Sequence, residues 1–250
     1  MPELTLTFFA IAALAVVIAG VSKAGFGSGA AFASASILAL IVEPGVALAF
    51  MLPLLMLIDA ASLRPYWRRW NHRASVLLIA GALPGLGLGV LYFRAVDADG
   101  MRLMIGGISV AFVAWQLFSP LRARLARAAV ADWCGLLAGT LAGFASFLSH
   151  AGGPAAAVYL LGRRMGKTEY QATTVLVFGA VNVMKAAAYT RLGLLSADLL
   201  PVAVLFAPFA LLGTWAGVRL HGLLPERQFF ALTYVLLTVT GLKLIWDGLL

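Results

Sequence analysis

Two glycine-rich stretches interrupt long apolar runs of this 250-residue chain. "SKAGFGSGA" covers residues 22–30 and "SHAGGPA" covers residues 149–155. A glycine-rich turn that enters a helix presents free backbone N–H groups at the positive end of the helix dipole, and glycine lets an oxyanion approach the backbone closely. Serine, histidine and lysine side chains in the same stretches add donors and positive charge. The two stretches therefore predict the capture of a small anion.

The expected anion-binding residues fall into three groups. The first stretch contributes Ser22, Lys23, Gly25, Phe26, Gly27, Ser28 and Gly29. The second stretch contributes Ser149, His150, Gly152, Gly153 and Pro154. A later apolar segment contributes Asn182 and Lys185, because polar groups inside a membrane are costly and usually functional.

Close helix packing is the alternative explanation for the glycines. Gly25 and Gly29 have a G-x-x-x-G spacing that brings helices together, and so do Gly85 and Gly89. We expect packing for the pair Gly85 and Gly89. We expect ligand contact at the two stretches, because packing alone does not require the same interruption twice.

Two ionisable side chains are candidates for proton coupling. His150 titrates near neutral pH in its ordinary state, although a neutral, hydrogen-bonded histidine is an equal alternative. Asp59 lies well inside an apolar segment and either carries a proton or pairs with Arg64 or Arg68. Lys185 likewise has two interpretations, an anion partner in the interior or a lysine that snorkels to the membrane edge.

Composition defines the surroundings of these residues. The chain is 62% hydrophobic and 11% charged, with a mean hydropathy of +0.98. Such values lie far outside the range of soluble globular proteins. No hydrophilic stretch is long enough for a separate domain, so residues 1–250 are predicted to form a single all-α, polytopic membrane domain.

Ten apolar segments follow one another along the chain. A span of the hydrocarbon core needs about 20 residues, so the second and seventh segments are too short to cross and are predicted to be half-helices. The segments are 4–21, 30–42, 46–63, 74–93, 101–118, 133–148, 155–161, 173–189, 199–220 and 229–246.

An internal repeat relates the two halves. A shift of 124 residues superposes Ser22 on Ser146, Pro84 on Pro208 and Gly89 on Gly213. The repeats are residues 1–121 and 131–250, with five segments each. Because five is odd, the second repeat must enter the membrane from the opposite side, which is the inverted repeat of many secondary transporters. Segments 1 and 2, like segments 6 and 7, are then predicted to form broken or re-entrant hairpins.

The basic residues predict the orientation of the chain. With the N-terminus outside, most arginines fall in cytoplasmic loops, as the positive-inside rule requires. Both termini are therefore predicted to face outside, and the protein is assigned to the cell inner membrane. The predicted cytoplasmic residues are Arg64, Arg68, Arg69, Arg73, Arg122, Arg124, Arg127, Arg163, Arg164, Lys167, Arg219 and Arg227.

The chain resembles the TauE/SafE family, the sulfite exporter or DUF81 group of membrane permeases. The resemblance is carried by "SKAGFGSG" in the first half and by "GFASFLSHAGGP" followed by "VYLL" in the second. Ala24 and Ser28 depart from the more glycine-rich first stretch of the family. The resemblance implies export of sulfite or of a small organosulfur, sulfonate or carboxylate anion.

Other functional classes find less support in the residues. A membrane-embedded lipid enzyme needs clustered carboxylates or a nucleophile with a base, and only Asp59 lies well inside an apolar segment. No Cys and His spacing predicts a metal site, and no cofactor is expected. The basic excess is explained by topology, so no nucleic acid is expected as a partner. A membrane assembly or metal-delivery factor stays the main alternative.

Overall fold

The computed structural model describes residues 5–26, 33–117, 131–221 and 226–250, with side chains described throughout except at 116, 226–233 and 236. Over these residues the chain is helical and has no strand, which confirms the predicted all-α class. The helices are α1 Leu6–Gly25, α2 Ala33–Leu38, α3 Pro44–Leu63, α4 His72–Ala95, α5 Ala98–Leu117, α6 Asp132–Ser149, α7 Gly153–Gly162, α8 Lys167–Arg191, α9 Leu199–Leu205, α10 Ala207–Leu220 and α11 Glu226–Leu249.

Five of the helices are long and apolar enough to cross a membrane, and α9 with α10 makes a sixth if the bent pair is one span. These two helices meet at an angle of 48°, so the predicted segment 199–220 is broken in two. Pro208 lies in the first turn of α10, where its missing N–H has no intrahelical partner to lose. The short second and seventh segments correspond to α2, with 6 residues, and α7, with 10 residues.

Side chains at the polar boundaries fix where several helices begin. Thr5 accepts a hydrogen bond from the backbone N–H of Phe8, 3.1 Å away, at the start of α1. The Asn71 side chain caps α4 by accepting from Ala74 N at 3.0 Å. Each cap satisfies one of the backbone donors that the first turn of a helix leaves free.

Helices α3 and α8 form the centre of the molecule. They pack against each other, and α3 also contacts α1, α2, α5, α9 and α10. Large side chains on α3 are fully enclosed, among them Leu48, Phe50 and Met51. Polar groups on α3 and α8 are therefore held away from both lipid and water.

Two helix pairs approach each other through glycine. On α4, a Cβ at Gly85 would overlap the carbonyl oxygen of Thr140 on α6. On α10, a Cβ at Gly217 would lie 2.6 Å from the carbonyl oxygen of Val21 on α1. The packing role predicted for Gly85 is confirmed, and a Cβ at Gly89 would likewise meet the Phe147 ring.

Substitution of Gly85 tests this packing, and Gly87 on the same helix supplies a matched control. Gly85→Ala is expected to cost about 1–3 kcal/mol of stability, because the added methyl group overfills a backbone contact. Gly87→Ala is expected to be neutral or stabilising by up to about 1 kcal/mol, because nothing lies within 4 Å of its Cβ position. Thermal unfolding of the purified protein in detergent measures both, and equal midpoints for the two variants would contradict the close α4–α6 contact.

Candidate functional site

The first interrupted helix, α1, ends inside the protein. The last carbonyl groups of a helix have no intrahelical partner, and lipid offers no donor to replace one. Here three side chains from separate parts of the chain donate to those carbonyls. The pairs are Gln171 Nε2 to Lys23 O at 2.7 Å, the Tyr66 hydroxyl to Ala24 O at 2.7 Å and His221 Nδ1 to Gly25 O at 2.5 Å.

Tyr66 lies in the loop between α3 and α4. Its hydroxyl group stays protonated and can donate a hydrogen bond throughout the physiological pH range. Burial raises its pKa to about 12, because the phenolate form loses its hydration there. The hydroxyl therefore keeps its proton at physiological pH. Its hydrogen bond ties the end of α1 to the loop that follows α3.

His150 is the C-cap residue of the second interrupted helix, α6. This residue has φ 56°, a left-handed conformation that histidine tolerates better than most residues, and its N–H bonds back to Ser146 O at 3.0 Å. Two side chains of α8 donate to carbonyl groups in the last turn of α6, one of which is the carbonyl that accepts from His150. Lys185 Nζ reaches Ser146 O at 2.6 Å and the Tyr189 hydroxyl reaches Phe147 O at 2.5 Å.

A buried group of polar side chains connects the two helix ends. We call it the polar cluster, and each member is at most 6% exposed. Asp59 Oδ2 accepts from Lys23 Nζ at 2.6 Å and from Asn182 Nδ2 at 2.8 Å. One turn further along α8, Lys185 Nζ lies 2.5 Å from His150 Nδ1. The members are Lys23, Asp59, His150, Asn182 and Lys185.

The hydrogen bonds define the protonation pattern of His150. Its Nε2 lies 3.1 Å from the carbonyl oxygen of Leu48, which only accepts, so Nε2 carries a hydrogen. Its Nδ1 lies 2.5 Å from Lys185 Nζ. With Lys185 as the donor in this contact, His150 is a neutral imidazole whose lone pair is on Nδ1.

The polar cluster holds more basic groups than acidic ones. Lys23 and Asp59 form a buried ion pair. Lys185 forms no ion pair with any carboxylate among the described residues, and its close partners are a carbonyl and an imidazole. A buried ammonium group without a counter-charge is strongly disfavoured. The cluster is therefore suited to accept one negative charge.

The two helix ends lie at different depths along α8. Gln171 contacts the end of α1, and Lys185 contacts the end of α6. With a rise of 1.5 Å per residue, these two positions are about 21 Å apart along the helix axis. Side chains of the polar cluster, Asp59 and Asn182 among them, connect Lys23 of α1 with the part of α8 that lies between these two positions.

In the first stretch, the described candidates are buried. Ser22 is fully enclosed, and Phe26 is 8% exposed. At Gly25 a Cβ would lie 2.6 Å from Gly217 O, so this glycine serves the contact between α1 and α10. Gly27, Ser28 and Gly29 lie outside the described residues.

In the second stretch, the glycine nearest to His150 is a packing residue. A Cβ at Gly152 would lie 2.6 Å from Ala142 O and 2.6 Å from the Phe178 ring, so protein atoms already occupy that space. Gly153 and Pro154 form the first turn of α7. The Ser149 hydroxyl donates to Ala145 O at 2.9 Å within α6.

Two of the alternatives considered for ionisable residues are wrong. Asp59 does not pair with Arg64 or Arg68, because it lies on the buried face of α3 while both arginines are exposed beyond the end of that helix. Lys185 does not snorkel to the membrane edge, because it is 0% exposed and directed at the end of α6.

Sequence reasoning missed the groups that satisfy the helix ends. These are Tyr66, Gln171, Tyr189 and His221, together with the backbone acceptor Ser146. A signal for part of this set exists in α8, where Gln171, Asn182, Lys185 and Tyr189 recur at helical spacing on one face. A polar stripe on a central, apolar helix indicates that the stripe faces polar protein groups.

The family model of the sulfite exporter TauE/SafE family matches residues 12–244. The chain belongs to this family of membrane transporters, and it is a multi-pass membrane protein. Comparison with curated proteins and with solved structures gives no match.

The Lys23–Asp59 pair is open to a double-mutant test. Lys23→Met is expected to cost about 3–5 kcal/mol of stability, because it leaves the Asp59 carboxylate buried without a counter-charge. Lys23→Met combined with Asp59→Asn is expected to regain most of this loss, because no isolated charge remains. Thermal unfolding in detergent measures each variant. Additive losses in the double variant would show that the two side chains do not interact.

Proposed function

We propose that this protein is a secondary transporter that exports a small anion from the cell by alternating access. The substrate class is sulfite or a small sulfonate, other organosulfur anion or carboxylate. Membership of the sulfite exporter TauE/SafE family supports the transport of an anion. Family membership supports the anion class as a whole, and the transport assay below is designed to distinguish its members.

The observation that carries the proposal is the excess of basic groups in the polar cluster. Lys23 and Lys185 are both buried, and Asp59 supplies the one carboxylate that faces them among the described residues. An anion in a low-dielectric interior needs such a cation and several hydrogen-bond donors. Asn182 supplies a further donor, and the first turn of α7 lies near the end of α6 that Lys185 contacts.

Proton coupling fits the arrangement better than sodium coupling. Transporters that use Na⁺ coordinate it with the carbonyl groups of interrupted helices. Here the carbonyl groups at the ends of α1 and α6 already accept hydrogen bonds from protein side chains, including Lys185 on Ser146.

The two halves are proposed to be inverted repeats, residues 1–121 and 131–250. Packing of α4 on α6 and of α10 on α1 supports this assignment, because each repeat then offers its fourth segment to the first segment of the other. Asp59 on α3 contacts the Lys23 side chain near the end of α1, and Lys185 on α8 contacts the backbone near the end of α6, so the third segment of each proposed repeat meets an interrupted helix. Broken helices near such an axis form the substrate sites of many secondary transporters.

Alternating access follows from the burial of the polar cluster. Because its members are enclosed on all sides, an anion reaches them only when one helix end moves away. Movement of the end of α1 and movement of the end of α6 would break different hydrogen bonds. Tyr66, Gln171 and His221 hold the end of α1, whereas Tyr189 and Lys185 hold the end of α6.

The orientation is proposed from the positive-inside rule, with both termini outside an inner membrane. The loop between α3 and α4 carries Arg64, Arg68 and Arg69, and the loop between α7 and α8 carries Arg163 and Arg164. Both loops are then cytoplasmic. The basic residues 122–127 lie outside the described residues.

Transport by lysine variants tests the function. In proteoliposomes supplied with sulfite, isethionate or acetate, Lys185→Met is expected to lower the initial rate about ten- to a hundredfold, because it removes a charged hydrogen-bond donor. Lys243→Met is the matched control and is expected to keep the wild-type rate, because Lys243 is exposed and paired with Asp247 at the other end of the chain. An imposed pH gradient shows whether protons drive the flux.

Two outcomes would contradict the proposal. Equal rates for the two variants would mean that Lys185 does not reach the substrate. Absence of any anion flux from well-folded wild-type protein, together with a stable complex with a soluble partner, would favour an assembly or delivery factor.

Cysteine labelling tests the orientation. In a Cys134→Ala background, Arg69→Cys is expected to resist an impermeant thiol reagent in intact cells, whereas Ser196→Cys in the loop after α8 is expected to react. Both positions are exposed to solvent, so reaction of Arg69→Cys from outside would reverse the proposed orientation.

A further inference from the structure

Lys185 is the one member of the polar cluster whose charge the described structure leaves without a counter-charge. It is 0% exposed, it donates to Ser146 O at 2.6 Å, and its Nζ lies 2.5 Å from His150 Nδ1, which is the acceptor when His150 is neutral. A neutral amine has two N–H donors, which these two acceptors use completely. An ammonium group has a third N–H donor, whose nearest further acceptor is the Ser146 hydroxyl at 3.4 Å. That distance is long for a hydrogen bond.

We propose that Lys185 takes up one proton when the anion binds, so that the substrate anion and a proton enter the site together and are transported as a pair. The inference rests on the proposed function and names the residue that couples it to protons. The proton comes from water and forms the third N–H bond of Lys185. That new donor then faces the anion, and no covalent bond of the substrate changes.

Charge balance supports the same step. Without substrate, the Lys23–Asp59 pair is neutral, His150 is neutral, and an uncharged Lys185 leaves the polar cluster without net charge. Entry of an anion adds one negative charge, and the proton on Lys185 cancels it. Either event alone places an uncompensated charge in the interior of the membrane, which is strongly disfavoured. The two events are therefore linked.

Four other ionisable groups face Lys185 among the described residues. Lys23 comes from α1, Asp59 from α3, His150 from the end of α6 and Tyr189 from α8 itself, with its ring centroid 5.7 Å from the amine. Lys23 and Asp59 neutralise each other. With Lys185 as the donor to Nδ1, His150 is neutral, and its Nε2 carries the hydrogen that faces Leu48 O. In α4 and α7 the charged groups, Arg73, Arg94 and Arg163, lie at the helix ends.

The Lys185→Arg variant distinguishes the effect of a positive charge at position 185 from the effect of proton uptake at that position. A guanidinium group is charged at every accessible pH, so it supplies the counter-charge without taking up a proton. Isethionate is the probe, because a sulfonate keeps one negative charge throughout the pH range used. Calorimetry in buffers with different ionisation enthalpies counts the protons bound with each anion. Lys243→Arg is the matched control, because it makes the same exchange at an exposed, ion-paired lysine.

The wild type and Lys243→Arg are expected to take up about one proton per anion, and their affinity is expected to fall about tenfold per pH unit as the pH rises. Lys185→Arg is expected to bind with no proton uptake and no such pH dependence. Binding to wild type without proton uptake overturns the inference and leaves the proposed function intact, as does full uptake by Lys185→Arg. Failure of isethionate, sulfite and acetate to bind any variant overturns the proposed function itself.

A second measurement covers the case in which Lys185→Arg does not fold. The chain has four lysines, Lys23, Lys167, Lys185 and Lys243, so nitrogen resonances of a lysine-labelled wild type can be assigned with single Lys→Met variants. The Lys185 resonance is expected to be that of an amine without isethionate and that of an ammonium group with it. An ammonium resonance in both states overturns the inference.

Discussion

The structure depends on one constraint, which is that backbone carbonyls at an interrupted helix must find donors inside the membrane. Helices α1 and α6 both end where neither water nor lipid can satisfy them. The protein solves the problem with side chains from elsewhere in the sequence, chiefly from α8. Lysine is well suited to this task, because its side-chain nitrogen donates N–H groups and reaches a carbonyl of a neighbouring helix. The same requirement therefore brings basic groups into the interior.

The proposed function follows from how these basic groups are balanced. Asp59 neutralises Lys23, whereas Lys185 meets an acceptor carbonyl and a neutral imidazole. A group that satisfies a helix end in this way is stable as an amine and becomes a strong anion partner when it is protonated. The two helix ends are held by different sets of contacts, so one end can be released while the other stays closed. The proton-coupled alternating access that we propose requires both properties.

The sequence was sufficient for the all-helical class and for the short helices α2 and α7, because segment length and glycine and proline content act locally. It also singled out Asp59, Asn182 and Lys185 as polar residues within apolar segments, although it left open a snorkelling position for Lys185 and an arginine partner for Asp59. It did not yield the partner of Asp59, because Lys23 is distant in sequence and their contact depends on how α1 packs against α3. The packing role of Gly152 was hidden for the same reason, since the atoms that fill its Cβ position belong to α6 and α8.

A structure of the protein with selenite, the heavier analogue of sulfite, tests the central claim most directly. Anomalous scattering from selenium gives the position of the anion independently of the protein phases. The account predicts a selenium peak inside the protein, with a selenite oxygen within hydrogen-bonding distance of Lys185 Nζ. A peak confined to the protein surface, with the Lys185 contacts to Ser146 and His150 unchanged and no anion beside them, would contradict it.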